Sequence, residues 1–280
     1  MEREQLFVED ATTPPQDWPQ AGKIEFHNFS MKYRHDLEYA LKDINLTINP
    51  SEKIGIVGRT GAGKSSLSRA LFRLVDNKTC EGSIIIDGNE IHSMNIGDLR
   101  PRLGTIPQEP TLFSGMFRQV LDPLMEYTIE DMWAAIIKCD MVDLVAPRNK
   151  HRTDKKPKEV KTLRPHGLNR YIFGRFQFSN GQRQLFGLCR LLMRKHKIVV
   201  LDEATADVDL ETDQYIQKLI RSELKDCTVL TIAHRLDTIM NSDRIIVMDK
   251  GRAIEIGPPS ELLKSGGHFA ELVKANDFGN

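Results

Sequence analysis

The stretch Glu52–Phe72, EKIGIVGRTGAGKSSLSRALF, limits the possible folds more than any other part of the chain. Ile54, Ile56 and Val57 form a short apolar run that reads as a buried β-strand. Gly58, Gly61 and Gly63 mark a tight turn, followed at once by Lys64 and Ser65. Leu67, Ala70, Leu71 and Leu74 then recur at three- and four-residue spacing, which predicts a helix with one apolar face. Strand, glycine-rich turn and helix in this order fit G-x-x-x-x-G-K-[ST], a loop that cradles phosphates. Without side chains at Gly61 and Gly63, backbone N–H groups converge on phosphate oxygens, and the helix N-terminus adds its dipole. Lys64 supplies a mobile positive charge for β- and γ-phosphates, and the Ser65 hydroxyl a ligand for Mg²⁺. Taken alone, the loop leaves kinases, GTPases, helicases and transport ATPases open.

A chain of 280 residues makes one large domain or two small ones, with a sizeable core in either case. Lysine plus arginine number 39 and aspartate plus glutamate 39, so no global field points to nucleic acid or an acidic membrane surface. Cys80, Cys139, Cys189 and Cys227 stand far apart with no C-x-x-C pair, which suits reduced structural thiols in a cytosolic setting. The N-terminus, MEREQLFVED, is too charged for a signal peptide. No apolar run approaches the roughly eighteen residues of a membrane span. Any work at a membrane is therefore expected to run through something outside this chain, which is expected to be soluble by itself.

In chain order, residues 1–22 are polar, carry Pro14, Pro15 and Pro19, and read as a linker into a domain beginning at Lys23. IEFHNFSMKY, LKDINLTI and EKIGIV read as short strands. Tyr33 ends the first of them and is either a base-stacking aromatic or a half-buried strand tyrosine. EGSIIIDG is a strand closed by the turn pair Asp87-Gly88. Gln108, between Pro107 and Glu109-Pro110, lies where a strand enters a loop. Residues 128–145 are helical in pattern, with Trp133, Ile136 and Ile137 on the apolar face. Residues about 147–170 crowd lysine and arginine with few apolar residues, and read as an exposed basic insertion. Ser179 is a good N-cap for a helix marked by Leu185, Leu188, Leu191 and Leu192. IVVLDEA then places Asp202 and Glu203 at a strand's C-terminal end, where ligands sit in open α/β sheets. TVLTIAHRL is a buried strand ending in His234, RIIVMDKGRAIEIG a hairpin around Lys250-Gly251, and SELLKSGGHFAELVKAN a closing helix. Strands alternating with helices around such a loop predict an α/β fold with a mostly parallel sheet.

Tyr33, GRTGAGKSS, Gln108, FSNGQ, IVVLDEATADVD and His234 occur in the order seen in ATP-binding cassette proteins. Across residues 23–275 the chain resembles a nucleotide-binding domain of an ABC transporter. ALKDINLTI, GQRQLFGLCRLLMRK, DLETD and TVLTIAHRLDTI look most like the second such domain of the ABCC, or multidrug-resistance-associated, branch. The resemblance implies a P-loop NTPase (RecA-like) core, an antiparallel β subdomain and an α-helical subdomain over about 109–196, with a tail at 276–280. It also implies an ATPase using ATP and Mg²⁺. Tyr33 would stack on adenine, and Gly58, Arg59, Thr60, Gly61, Ala62, Gly63, Lys64, Ser65 and Ser66 would wrap the phosphates. Ser65, Gln108 and Asp202 would complete the Mg²⁺ shell, directly or through water. Glu203 would be the general base for the attacking water, and His234 would hold the γ-phosphate and orient that water.

Ser179, Gly181 and Gln182 would face the ATP of a second nucleotide-binding domain in a head-to-tail pair, and Asp209 would touch that partner. The remaining partners implied are transmembrane domains, which would put this domain on the cytoplasmic face of a membrane; no nucleic-acid partner is expected. The sequence departs from the family pattern at Phe178 and Asn180 in FSNGQ, in YIFGRFQ ahead of it, and at Asp207. Two other functional classes share the binding residues: a soluble ABC ATPase and an ATP-gated regulatory module. A GTPase is disfavoured, since no N-K-x-D guanine-reading motif occurs and Tyr33 suits adenine.

Overall fold

The computed structural model describes residues 11–108, 110–145, 167–173, 178–202, 208–232 and 236–275. The chain opens with β1 (Ile24–Met31), β2 (Leu41–Ile48) and β3 (Lys53–Val57), then α1 (Lys64–Leu71). Next come β4 (Cys80–Ile86), β5 (Asn89–Glu90), α2 (Ile96–Leu99) and β6 (Leu103–Ile106). They lead into β7 (Ser114–Met116), α3 (Phe117–Leu121), α4 (Ile129–Lys138), α5 (Val142–Val145), β8 (Tyr171–Phe173) and α6 (Asn180–Met193). The described chain continues through β9 (Ile198–Asp202), α7 (Leu210–Glu223), β10 (Thr228–Ile232) and α8 (Leu236–Ile239). It closes with β11 (Arg244–Asp249), β12 (Arg252–Gly257), α9 (Pro259–Ser265) and α10 (His268–Ala275).

The residues fall into two compact units, one of Met1–Thr105, His196–Glu203 and Leu224–Asn280, the other of Ile106–Lys195 and Ala204–Glu223. The first contains a six-stranded sheet in the order β12-β11-β3-β10-β9-β6. Strands β11, β3, β10 and β9 run parallel, and β12 returns antiparallel to β11. The near-continuous apolar runs of β9 and β10 suit parallel strands covered on both faces. Lys250 (φ 46°) and Gly251 (φ 82°) both take positive φ in the two-residue turn between β11 and β12, as a primed hairpin turn requires.

A second, antiparallel sheet in the same unit has the order β2-β1-β4-β5. Phe26 and Phe29 are three residues apart, yet both are buried. A strand with strict alternation would turn one of them outward. The register of β1 on β2 shifts between these two residues, with Asn28 at φ 48°, and this bulge keeps both rings inside. They join Ile54, Ile56, Leu67, Leu71, Val200, Leu230 and Ile232 in one continuous core. Each such side chain contributes about 1.5–3 kcal/mol on burial.

Of the expected linker 1–22, residues 1–10 lie outside the described residues, and 11–22 lie along this unit as a strap. Trp18 is only 4% exposed, and its indole N–H donates to the Ile86 carbonyl at 2.9 Å. The Asp87 carboxylate accepts from the successive amides of Ala21, Gly22 and Lys23 at 2.8–2.9 Å. Arg102 donates to the carbonyls of Pro15, Gln16 and Trp18. Three prolines make the segment look unstructured, but one tryptophan and two ionic side chains bind it down.

The second unit is built on α6, α4 and α7, with Phe117 and Phe186 edge to face at 5.2 Å. β7 and β8 pair antiparallel beside them. Cys139 and Cys189 are buried here as free thiols, and burial raises the Cys189 thiol well above its ordinary value.

Three helix expectations are corrected. The pattern over 128–145 is two helices, because Asp140 takes φ 50° after Lys138. Asp140 N–H donates to Ile137 O and Met141 N–H to Ile136 O, a Schellman ending in which aspartate fills the usual glycine position. The same arrangement ends α1, with Arg73 at φ 48° and Leu74 N–H on Arg69 O, so Leu74 lies outside the helix and is exposed. The C-terminal helix is α9 and α10, broken at Gly266 (φ 69°). There the Glu255 carboxylate accepts from the amides of His268 and Phe269 and starts α10.

Candidate nucleotide-binding site

In the first unit, β3 lies between β11 and β10, and the chain leaves it at Gly58. A Cβ on Gly58, which has φ 148°, would stand 2.2 Å from the Met248 carbonyl oxygen of the neighbouring strand. Only glycine fits so close to the sheet. At Gly61 the reason differs: φ is 81°, and a Cβ would meet nothing within 4 Å among the described residues. The open space on that side leaves the backbone approachable by a ligand. A turn bond from Ala62 N–H to Arg59 O at 3.0 Å and a brace from Gly251 N–H to Ala62 O at 2.9 Å fix the loop between.

The loop ends at the start of α1. Its N-cap, Gly63, offers no side-chain hydrogen bond, and the first turn holds no acidic residue. The first amides and the positive end of the helix dipole are thus left to an external anion. Lys64 is only 6% exposed, and its Nζ donates to the carbonyls of Gly58 at 2.6 Å and Arg59 at 3.3 Å. The ammonium is therefore folded over the loop by neutral acceptors, where a phosphate oxygen would be a stronger, charge-assisted partner. Arg59 and Thr60 lie on the exposed side of the loop, Ala62 is buried beneath it, and Ser65 is half-buried one residue into the helix.

Tyr33 lies two residues beyond β1 and is 38% exposed. Its hydroxyl pairs with the buried Ser66 Oγ at 2.9 Å, which ties the ring to the helix that begins at Lys64. Asp202 is the half-buried last residue of β9. Register places it opposite Ile232 of β10, which in turn stands opposite Ile56 of β3. The carboxylate and the loop therefore share the carboxyl end of the parallel strands, two strands apart, roughly 10 Å at the usual strand spacing. Glu203, His234 and Asp207 lie outside the described residues.

The second unit holds the remaining candidates. Gln108 is exposed in the loop after β6, and its backbone carbonyl accepts from Gln184 Nε2 at 2.7 Å. Ser179 caps α6 in a reciprocal box. Its Oγ accepts from Gln182 N–H at 3.2 Å, while its own N–H donates to Gln182 Oε1 at 3.0 Å. A Cβ on Gly181 would fall 2.7 Å from Thr212 Cγ2 and 3.2 Å from Val208 Cγ1, so α6 packs there against the entry to α7. Asp209 caps α7 by accepting from Thr212 N–H at 3.0 Å, which holds its carboxyl below the usual range. Phe178, one of the departures from the expected pattern, is buried and stands 6.3 Å from Phe186, so here the larger ring fills core space.

Two elements escaped the sequence reading. Gln184 is only 5% exposed, and among the described residues its Oε1 has no hydrogen-bond partner. Its signal was available: it shares a face of α6 with Gly181, Leu188 and Leu191 and is the one amide on that buried stripe. Arg69 donates from Nη1 to the Tyr33 hydroxyl at 3.1 Å. No local pattern marks it, because the contact joins the loop after β1 to α1.

Among the described residues, no group of three or more histidine, cysteine, aspartate or glutamate side chains could hold a metal ion. A hydroxyl and a carboxylate at the sheet's carboxyl end are a sparse, hard-oxygen donor set, the kind that suits Mg²⁺ shared with phosphates. None of the described helices is long and apolar enough to cross a membrane.

Comparison with known proteins fits this geometry. The family model described as "ABC transporter" matches residues 41–206. ATP-binding cassette sub-family C member 2 of Mus musculus is 48% identical over 93% of this chain. The metal resistance protein YCF1 of Saccharomyces cerevisiae is 44% identical over 94% of it. The chain spans only 16% of the length of each of these two relatives. A solved structure, that of a bacterial Atm1-family ABC exporter with ATP bound, superposes with a TM-score of 0.81 at 29% identity, covering 96% of this chain and 44% of that one.

Proposed function

Because this chain belongs to the ABC transporter family and carries its ATPase domain, we propose that it hydrolyses ATP held at Lys64 and that turnover drives transport by a larger assembly. The observation that carries this reading is the loop itself. A buried ammonium sits at the uncapped, acid-free start of α1, in a loop whose Gly61 leaves the backbone open.

In this reading Tyr33 carries the adenine, and Gly58 to Ser66 hold the triphosphate. Ser65, Gln108 and Asp202 would hold Mg²⁺, which supplies charge neutralisation between the β- and γ-phosphates. Glu203 takes the proton of the attacking water, and His234 orients that water against the γ-phosphate. The protein's contribution is position and charge, which is most of what phosphoryl transfer requires. Ser179, Gly181 and Gln182 serve the ATP of a second nucleotide-binding domain, whose own equivalents complete the site at Lys64, and Asp209 contacts that partner. Transmembrane domains are the remaining partners and place the domain at the cytoplasmic face of a membrane.

The test pairs two substitutions. Lys64→Ala should weaken ATP binding to the chain by about one to two orders of magnitude, the scale of a charged hydrogen bond. Glu203→Gln should abolish turnover in the assembled transporter while ATP binding persists. Undiminished hydrolysis by the Glu203→Gln protein would remove Glu203 from its role.

A further inference from the structure

Helix α1 does two things in this structure. Its first residue, Lys64, closes the loop, and two later residues on one face, Ser66 and Arg69, both reach the hydroxyl of Tyr33. Residues three apart on a helix are neighbours, so the two side chains converge on one phenol oxygen. A phenol has one donor and two acceptor positions. Arg69 Nη1 occupies an acceptor at 3.1 Å, and the Ser66 hydroxyl pairs with the oxygen at 2.9 Å. The guanidinium carbon is 5.6 Å from the ring centroid, within cation–π reach.

We infer that Arg69 is a positioning residue for nucleotide base recognition: it fixes the Tyr33 ring on the phosphate-binding helix before nucleotide arrives. The inference rests on the reading of Tyr33 as the adenine platform. Tyr33 is itself 38% exposed and follows the end of β1, so a tyrosine without these hydrogen bonds would sample other rotamers. Each rotamer lost on stacking weakens binding, and an anchored ring avoids that loss. Arg69 stands five residues after Lys64, about 7.5 Å along the axis at the helical rise, so ring and phosphate seat keep one fixed spacing. Arg69 is exposed and Tyr33 partly so, which keeps the effect modest.

The experiment titrates the 280-residue chain with ATP and, separately, with inorganic tripolyphosphate, which has phosphates but no base. Arg69→Ala should weaken ATP binding about two- to fivefold, the range of an exposed cation–π and hydrogen-bond contact, with tripolyphosphate binding unchanged. Arg69→Lys, which still donates to the phenol, should recover part of the loss. In a Tyr33→Ala background Arg69→Ala should have no further effect. An unchanged ATP affinity overturns the inference, and so does an equal loss for both ligands, which would put Arg69 on the phosphates directly. Additive losses in the double variant overturn it too. If Tyr33→Ala itself leaves the ratio of ATP to tripolyphosphate affinity unaltered, it is the adenine-platform reading that fails, a result separable from the Arg69 outcomes.

Discussion

The side-chain amide of Gln184 donates to the backbone carbonyl of Gln108 at 2.7 Å, so the helix capped by Ser179 also holds the loop that carries Gln108. In ABC terms, a residue proposed for this domain's own ATP and residues proposed for a partner's ATP are joined by one hydrogen bond within one unit.

Replacing Gln184 with leucine removes that bond together with a buried oxygen that has no partner among the described residues. The two effects on stability oppose each other, so the net change should stay within about 1 kcal/mol in urea unfolding. Turnover by the assembled transporter should fall roughly tenfold or more, since small displacements of positioning groups are costly in rate. Normal turnover by Gln184→Leu would show that the bond does not set the position of Gln108.

Gly181 tests the packing of α6 on the entry to α7. A methyl there meets Thr212 Cγ2 at 2.7 Å, so Gly181→Ala should cost about 1–3 kcal/mol by overpacking. Thr212→Ser deletes the opposing methyl and should return most of that loss in the double variant. Chemical denaturation of the three proteins decides the matter, and additive losses would count against direct contact.

His92 gives a pH dependence with a definite sign. Burial, helped by the nearby Arg73 cation, pushes it down to about 4 from an ordinary 6.5. The unfolded chain binds a proton as pH drops below 6.5, whereas the folded one stays neutral until about 4. Stability should therefore be lost as pH falls through this window, by on the order of 3 kcal/mol at ~1.4 kcal/mol per pH unit. His92→Phe keeps a ring stacked on Phe29, 5.8 Å away in the native protein, and should flatten the profile between those limits. A profile unchanged by the substitution would assign the acid loss to other groups.

Trp18 tests whether the strap is part of the domain. Its indole is buried and hydrogen-bonded to Ile86, so Trp18→Ala should lower stability by about 3–5 kcal/mol. A thermal unfolding transition within a degree of the parent would mean that the segment folds separately from the sheet beneath it.

The sequence made the centre of this molecule readable and left its joints obscure. The phosphate loop is legible because its residues act on their own neighbours: the Gly58 and Gly61 backbone, the acid-free helix start and the apolar β3 are all local. Asp202 at the end of β9 is legible because a fully apolar run before an acid has few other structural meanings. By contrast, Asp140 and Arg73 end helices in a conformation usually given to glycine, so nothing in their residue type announced the stops. The three-residue strands β7 and β8 are too short for a periodicity to show. The strap, the tie from Gln184 to Gln108 and the tie from Arg69 to Tyr33 join residues 36 or more positions apart. Such contacts arise only once the chain has folded, and no window of sequence contains them.

Strand register has one more consequence, for insertions and deletions. Ile56, Ile232 and Asp202 stand in one row across three parallel strands. Adding a residue inside β9 would carry the carboxylate about 3.3 Å along the strand and turn it to the opposite face. The acid thus has discrete addresses, with no gradual path from one to the next. Length can drift in the turns between strands, but within β9 the chain must be counted residue by residue.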